Sequence, residues 1–248
     1  MGSEPVSRAP TSVQRKPQSF REFGTMPARP EPLARWLEAV HVNPVSAWEW
    51  QCTPAWEQHP RFVPDAMWFC VLEGRGRCRF GELESAAWER LGPGDLFLVP
   101  KACPHHVRPD RGVGFRLYTV HFFADIYGTV DLAGALGLGG VYRGGRGAPF
   151  LEASQRLARE FALRAPGCRR GMEAAIWEVL LHIVREQGER LDDTFESELS
   201  RLQPTLDLVE ERLTDPRLRV ADMAEAVNVS EVYLRPLFRE VVGVSPIA

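Results

Sequence analysis

Residues 67–76 read Met67-Trp68-Phe69-Cys70-Val71-Leu72-Glu73-Gly74-Arg75-Gly76. An unbroken apolar run, ended by a Gly-x-Gly turn, predicts a strand. The same texture continues on both sides. Val45–Cys52 alternates around Trp48 and Trp50, and Arg77–Phe80 follows the turn. Ala87–Leu91 comes next, then Leu96–Val99 behind the turn Gly92-Pro93-Gly94-Asp95, then Phe115–Phe123. Many short strands separated by Gly and Pro turns predict an antiparallel sandwich or barrel from Trp36 to about Gly128.

Beyond Gly134 the apolar spacing becomes helical. Leu151, Ser154, Leu157, Ala158 and Phe161 form one stripe, and Met172, Ile176, Val179, Leu180 and Ile183 form a second after the break at Pro166-Gly167. Such a helix pair needs a surface for its stripes, either the barrel alone or the barrel together with a dimer face. Polar residues 188–200 read as a linker. In 201–248, Leu202, Leu206, Val209 and Leu213 form a stripe closed by Asp215-Pro216. Val220–Val227 then reads as a short helix, Asn228-Val229 as a tight turn, and Ser230 as the N-cap of a helix running to about Val242. Asn tolerates the left-handed backbone that such a turn requires. Residues 1–32 hold six prolines among Ser, Arg and Gln and few large apolar side chains. They are expected to form a mobile arm, either a free tail or one that folds over a ligand or partner. The domains expected are therefore the arm 1–32, an effector-binding domain 33–187, a linker 188–200 and a helical segment 201–248.

Composition narrows the functional classes. Thirty basic and 33 acidic residues leave a net charge of -3, which excludes a globally basic nucleic-acid coat but not a local binding face. The sequence contains no apolar run long enough to span a membrane, and its N-terminus lacks the apolar core of a secretory signal. Five cysteines without a C-x-x-C pair fit reduced thiols in the cytoplasm, with no structural zinc site.

Two motifs carry more. Gly94-Asp95-Leu96-Phe97-Leu98-Val99-Pro100, followed by His105 and His106 and preceded by Leu72-Glu73-Gly74-Arg75-Gly76, resembles the small barrel of the cupin superfamily. Metal-binding cupins usually carry His-x-His and Glu on the earlier strand, and Met67–Leu72 offers no such ligands. His105, alone or with His106, His59 or His121, is the weaker alternative for such a site; His121 reads as a strand histidine, and no metal or other cofactor is expected. The second motif runs Met223-Ala224-Glu225-Ala226-Val227-Asn228-Val229-Ser230-Glu231-Val232-Tyr233-Leu234-Arg235-Pro236-Leu237-Phe238-Arg239, then Gly243-Val244-Ser245-Pro246. It resembles the helix-turn-helix of the AraC/XylS family of bacterial transcription regulators. With barrel, helix pair and linker in the family's order, the resemblance extends over about Trp36–Ala248. The fold class expected is α+β: a cupin-like antiparallel barrel with a helix pair, then an all-α helix-turn-helix segment.

The resemblance implies a cytoplasmic, non-enzymatic regulator that binds a small-molecule effector in the barrel, forms a homodimer and reads promoter DNA with the second helix of the motif. Carried onto this sequence, Glu231, Val232 and Arg235 are base-reading candidates. Ser230 caps the helix near phosphate, Arg239 is a phosphate contact, and Leu234, Leu237 and Phe238 are core. For the effector, the residues point to Trp48, Trp50, Trp68 and Tyr118 as stacking surfaces, to Arg79 for a carboxylate or hydroxyl, and to His105 and His106 as pocket lining. Catalysis by the Cys103-Pro104-His105 stretch is not expected, because adjacent residues point apart.

Three departures from the family stand out. The family's second helix-turn-helix is absent from this sequence. Pro236 lies inside the reading helix, where it is expected to kink the helix or delay its start, at a cost of about 3 kcal/mol. Arg219 stands where a Ser or Thr cap is usual, a loss of about 1 kcal/mol. Between Ser200 and Ala248, six arginines face eight carboxylates, a balance of -2. This chain alone is therefore expected to bind DNA poorly. The alternatives are a sensor or dimerising module that no longer reads DNA and, behind it, a cupin enzyme.

Overall fold

The computed structural model describes residues 32–187, 193–242 and 245–246. The expected arm falls almost wholly on residues 1–31 and so lies outside the described residues.

Helix α1 (Pro32–Glu38) leads into a long strand β1 (Val40–Cys52), then β2 (Gln58–Arg61), β3 (Ala66–Gly74) and β4 (Gly76–Phe80). Strands β5 (Glu89–Leu91), β6 (Leu96–Val99), β7 (His105–Pro109) and β8 (Phe115–Ile126) follow. After the short β9 (Val130–Asp131), α2 (Leu132–Ala135) and β10 (Gly140–Tyr142) come α3 (Phe150–Leu163) and α4 (Cys168–Gln187). The last elements are α5 (Asp193–Glu211), α6 (Val220–Ala226) and α7 (Glu231–Val242).

The strands form two antiparallel sheets, ordered β1-β8-β3-β6-β10 with β9 on β8, and β2-β7-β4-β5. The result is mixed α/β, a cupin-like jelly roll with seven helices among the described residues. The strands separate into two sheets where a barrel was one of the forms anticipated. Two apolar clusters explain the layering. Met67, Phe69, Val71, Phe97, Val107 and Leu117 pack between the sheets. On the other face of the first sheet, Trp68, Cys70, Val120 and Phe122 pack against Ala153, Leu157, Ile176 and Val179 of α3 and α4.

Polar anchors set the turns. Asp95, in the Gly-Asp turn, accepts N–H bonds from Gly92 (3.0 Å) and Gly144 (2.9 Å) and pairs with Arg143 (2.8 Å). The two loops touch so closely that a Cβ on Gly144 would lie 2.4 Å from the Gly94 carbonyl carbon. Gly74 has φ +85°, and a Cβ there would lie 2.0 Å from the Gly114 oxygen, so the Gly-x-Gly turn admits no side chain at that point.

The helical end corrects two expectations and qualifies a third. Residues 193–200, assigned to a linker, are the first turns of α5, while 188–192 lie outside the described residues. Helix α7 starts at Glu231 and continues through Pro236, without the delayed start. Arg219 offers no acceptor, but the Asp222 carboxylate takes the Arg219 N–H at 3.0 Å and so satisfies one of the helix-start donors. Asn228 has φ 55°, the left-handed backbone expected of the turn.

The N-terminal helix joins the sandwich to α5. Buried Trp36 donates its indole N–H to Gln203 Oε1 (2.9 Å), and the Gln203 amide donates to Tyr127 Oη (3.3 Å) at the end of β8.

Candidate functional site

The structure distributes the seven effector candidates over four places. Between the sheets, β8 and β3 align Thr119 with Phe69 and His121 with Met67. Trp50, on β1, donates its indole N–H to Thr119 Oγ1 at 2.9 Å. His121 Nδ1 lies 3.1 Å from the Asp65 carboxylate, and Asp65 is itself buried. Across from them, β7 carries His105, fully buried beside Phe69 at 5.9 Å between ring centroids. His105 Nδ1 lies 3.1 Å from the Cys103 carbonyl oxygen, so Nδ1–H donates and Nε2 carries the free lone pair. That Nε2 is buried and has no hydrogen-bond partner among the described residues. Burial pushes the His105 pKa down to about 4, helped by the nearby Arg61 and His121, so the ring is neutral at pH 7. This interior strip offers hydrogen-bond acceptors among apolar walls.

Trp48 and Tyr118 meet elsewhere, in a groove of about 920 Å³ between β1 and α3. Trp48 is 51% exposed and packs edge-on to Phe161 at 5.1 Å. Tyr118 donates its hydroxyl to Glu49 Oε2 (2.9 Å), and Arg116 holds the other oxygen (2.6 Å). The Arg116 bond, reinforced by Tyr118, keeps the Glu49 carboxyl below its ordinary pKa, so Glu49 is anionic.

Arg79 and His106 lie on the outer face of the second sheet, paired across β4 and β7. His106 Nε2–H donates to Glu57 Oε1 at 2.6 Å, and the Arg79 and Arg108 guanidinium carbons lie 4.7 and 4.1 Å over the Trp88 ring. Arg79 also donates to the Leu83 carbonyl at 2.5 Å. Trp68 is a correction: it is 0% exposed under α3, with its indole N–H donating to Ser154 Oγ at 3.0 Å. It is a core residue with no free donor. Of the candidates, then, only His105 is buried in the interior strip, while Trp50, 48% exposed, borders it through its bond to Thr119. Asp65 and Thr119 give no local signal in the sequence, because only the pairing of distant strands brings them here, and His121, expected to be an ordinary strand histidine, joins them.

The five DNA candidates fall on one element. Ser230 Oγ accepts the Tyr233 N–H at 3.3 Å, as a capping residue should. On α7, Glu231, Val232, Arg235 and Arg239 are exposed, Val232 at 83%, while Leu234 and Phe238 are buried. Leu237 is half-buried against the same core. Arg235 is paired with Glu231 at 3.1 Å. A cavity of about 940 Å³ lies between this helix and the sandwich, with His41 and Tyr127 on one side and Met223 and Phe238 on the other.

Among the described residues, no three His, Cys, Asp or Glu side chains gather as a metal site, and no helix is long and apolar enough to cross a membrane. No curated protein matches the chain. Among solved structures, two variants of oxalate decarboxylase from Bacillus subtilis are each 17% identical, with a TM-score of 0.28, over 34% of this chain and 25% of theirs. The chain spans about a quarter of the length of these structures, and a likeness this small carries no argument about function. The family described as AraC-like ligand binding domain matches residues 43–180. As that match covers more than half of the 248 residues, the chain belongs to the AraC-like ligand binding domain family.

Proposed function

We propose that this chain is a cytoplasmic transcription regulator in which a small molecule, taken up by the domain around residues 43–180, changes how α6 and α7 read promoter DNA. It acts by binding rather than catalysis, and as a homodimer. The observation that carries the reading is the asymmetry of α7. Leu234 and Phe238 fix the helix to its own core, while Val232, Tyr233 and Arg239 stay open to solvent, with Ser230 capping its start. A short helix, a left-handed turn and a second helix with one free face form the helix-turn-helix arrangement that enters a major groove. Trp36 and Gln203 supply a physical connection from the sandwich to this head.

A second reading, a sensor that no longer reads DNA, is favoured by the Glu231–Arg235 pair and the charge balance of -2. The pair occupies both polar base-reading side chains.

The two readings separate in one experiment. Duplexes enriched by the protein from a random-sequence pool are labelled and titrated by fluorescence anisotropy at several salt concentrations. A regulator enriches a common sequence. Val232→Asp then abolishes the preference, and Arg239→Ala weakens all duplexes alike, lowering the salt slope by about 1. Enrichment of no sequence, or affinities untouched by both substitutions, overturns the DNA-reading proposal in favour of the second reading.

A further inference from the structure

The groove between β1 and α3 is built like a ligand site. It lies on the helix-covered side of the first sheet, outside the polar strip between the sheets. Trp48 and Phe161 form an aromatic wall, and Ala158 and Ala162 leave space along the α3 side. The floor is polar. Glu49 is anionic but already accepts from Arg116 and Tyr118, and Gln155 reaches Tyr118. The mouth is cationic. Arg159 and Arg164 are exposed there, and neither has a carboxylate within ion-pair distance among the described residues. Arg164 terminates α3 in a left-handed conformation (φ 48°), with its guanidinium carbon 6.0 Å from the Phe161 ring centroid. Two unpaired guanidinium groups beside an aromatic slot match a carboxylate attached to a flat apolar body. A hydroxyl at the opposite end would find an acceptor in Glu49.

We propose that this groove binds a small aromatic carboxylate, with its ring along Trp48 and Phe161, its carboxylate at Arg159 and Arg164, and a distal hydroxyl directed at Glu49. The proposal rests on reading the chain as an effector sensor and supplies the chemical class of the effector. A ligand seated there touches α3 directly, and α3 packs on the same face as α4.

The probe is 6-hydroxy-2-naphthoate, titrated into the full chain by calorimetry and by quenching of tryptophan fluorescence, with 2-naphthol as the analogue lacking the carboxylate. Saturable binding of the naphthoate is expected. The double substitution Arg159→Gln with Arg164→Gln weakens it by about tenfold or more and shifts 2-naphthol by less than about twofold. Ala158→Trp, which fills the groove, removes binding of both. No saturation at millimolar probe, or equal affinities in the wild type and the double variant, overturns the proposal. Loss of binding in Thr119→Ala but not in the groove variants also overturns it, by moving the ligand between the sheets and leaving the sensor reading in place. Tight naphthoate binding that leaves DNA affinity unchanged keeps the groove site and removes the regulatory reading instead.

Discussion

The two sheets differ in what lies against their outer faces, and that difference organises the molecule. In β3, Met67, Phe69 and Val71 face the interior while Trp68 and Cys70 face the helices, and all five are fully buried. In β4 and β7, Cys78 and Val107 point inward while Arg77, Arg79 and Arg108 point away from the core. Pairing places Arg77 beside Arg90 of β5 on one side and Arg108 of β7 on the other, a row of like charges that a solvated face screens. Asp110 relieves it at Arg77 (2.9 Å). The covered sheet also holds the connections to the rest of the chain: the groove against α3, and Tyr127, which meets Gln203 of α5. Ligand events on that side have a packed route toward the head, whereas events on the open sheet meet solvent.

The largest expected effect breaks the covered side. Trp68→Ala removes a fully buried indole and its bond to Ser154 Oγ, and should cost about 3–5 kcal/mol in denaturant unfolding. A loss below about 1 kcal/mol would mean that the helices do not pack on this sheet as described.

The next effect concerns the interior, where the two sheets meet. The folded state keeps His105 neutral down to about pH 4, whereas the unfolded chain takes up a proton near 6.5. Between these values the unfolded state binds more protons, so stability is full above about pH 6.5 and falls as pH drops toward about 4. The contribution reaches up to about 3 kcal/mol. In His105→Leu the part of the pH slope due to this group should vanish in urea melts at pH 7 and pH 5; an unchanged slope refutes the assignment.

The smallest effect sharpens the open side. Arg108→Ala loses one contact with Trp88 and one member of the arginine row, so its unfolding free energy should stay within about 1 kcal/mol of wild type. A larger loss would show that this face is covered in solution.

The same contrast governs what was legible in the sequence. Met67–Leu72 and Leu96–Val99 announce strands because burial on both faces makes every position apolar. For the same reason they do not reveal which face each residue occupies, so Trp68 was read as an effector contact although it lies under α3. Strand β2, Gln58-His59-Pro60-Arg61, has neither apolar alternation nor β-branched residues, and only its pairing with β7 makes it a strand. Helices α6 and α7 were legible through Ser230, Asn228 and the apolar spacing, because caps and turns are local chemistry, whereas the polar start of α5 reads as a linker. The Asp65–His121 pair and the groove were not legible, since each depends on contacts between segments far apart in sequence.

Under the proposed function, a ligand on the covered side changes how α6 and α7 bind DNA. The direct measurement is the anisotropy of a pool-selected duplex with and without saturating 6-hydroxy-2-naphthoate, in wild type and in Gln203→Ala, which removes the bridge from Trp36 to Tyr127. Ligand is expected to shift the DNA affinity of wild type by about fivefold or more, and the shift is expected to collapse in Gln203→Ala. Identical affinities with and without bound ligand in the wild type would contradict it.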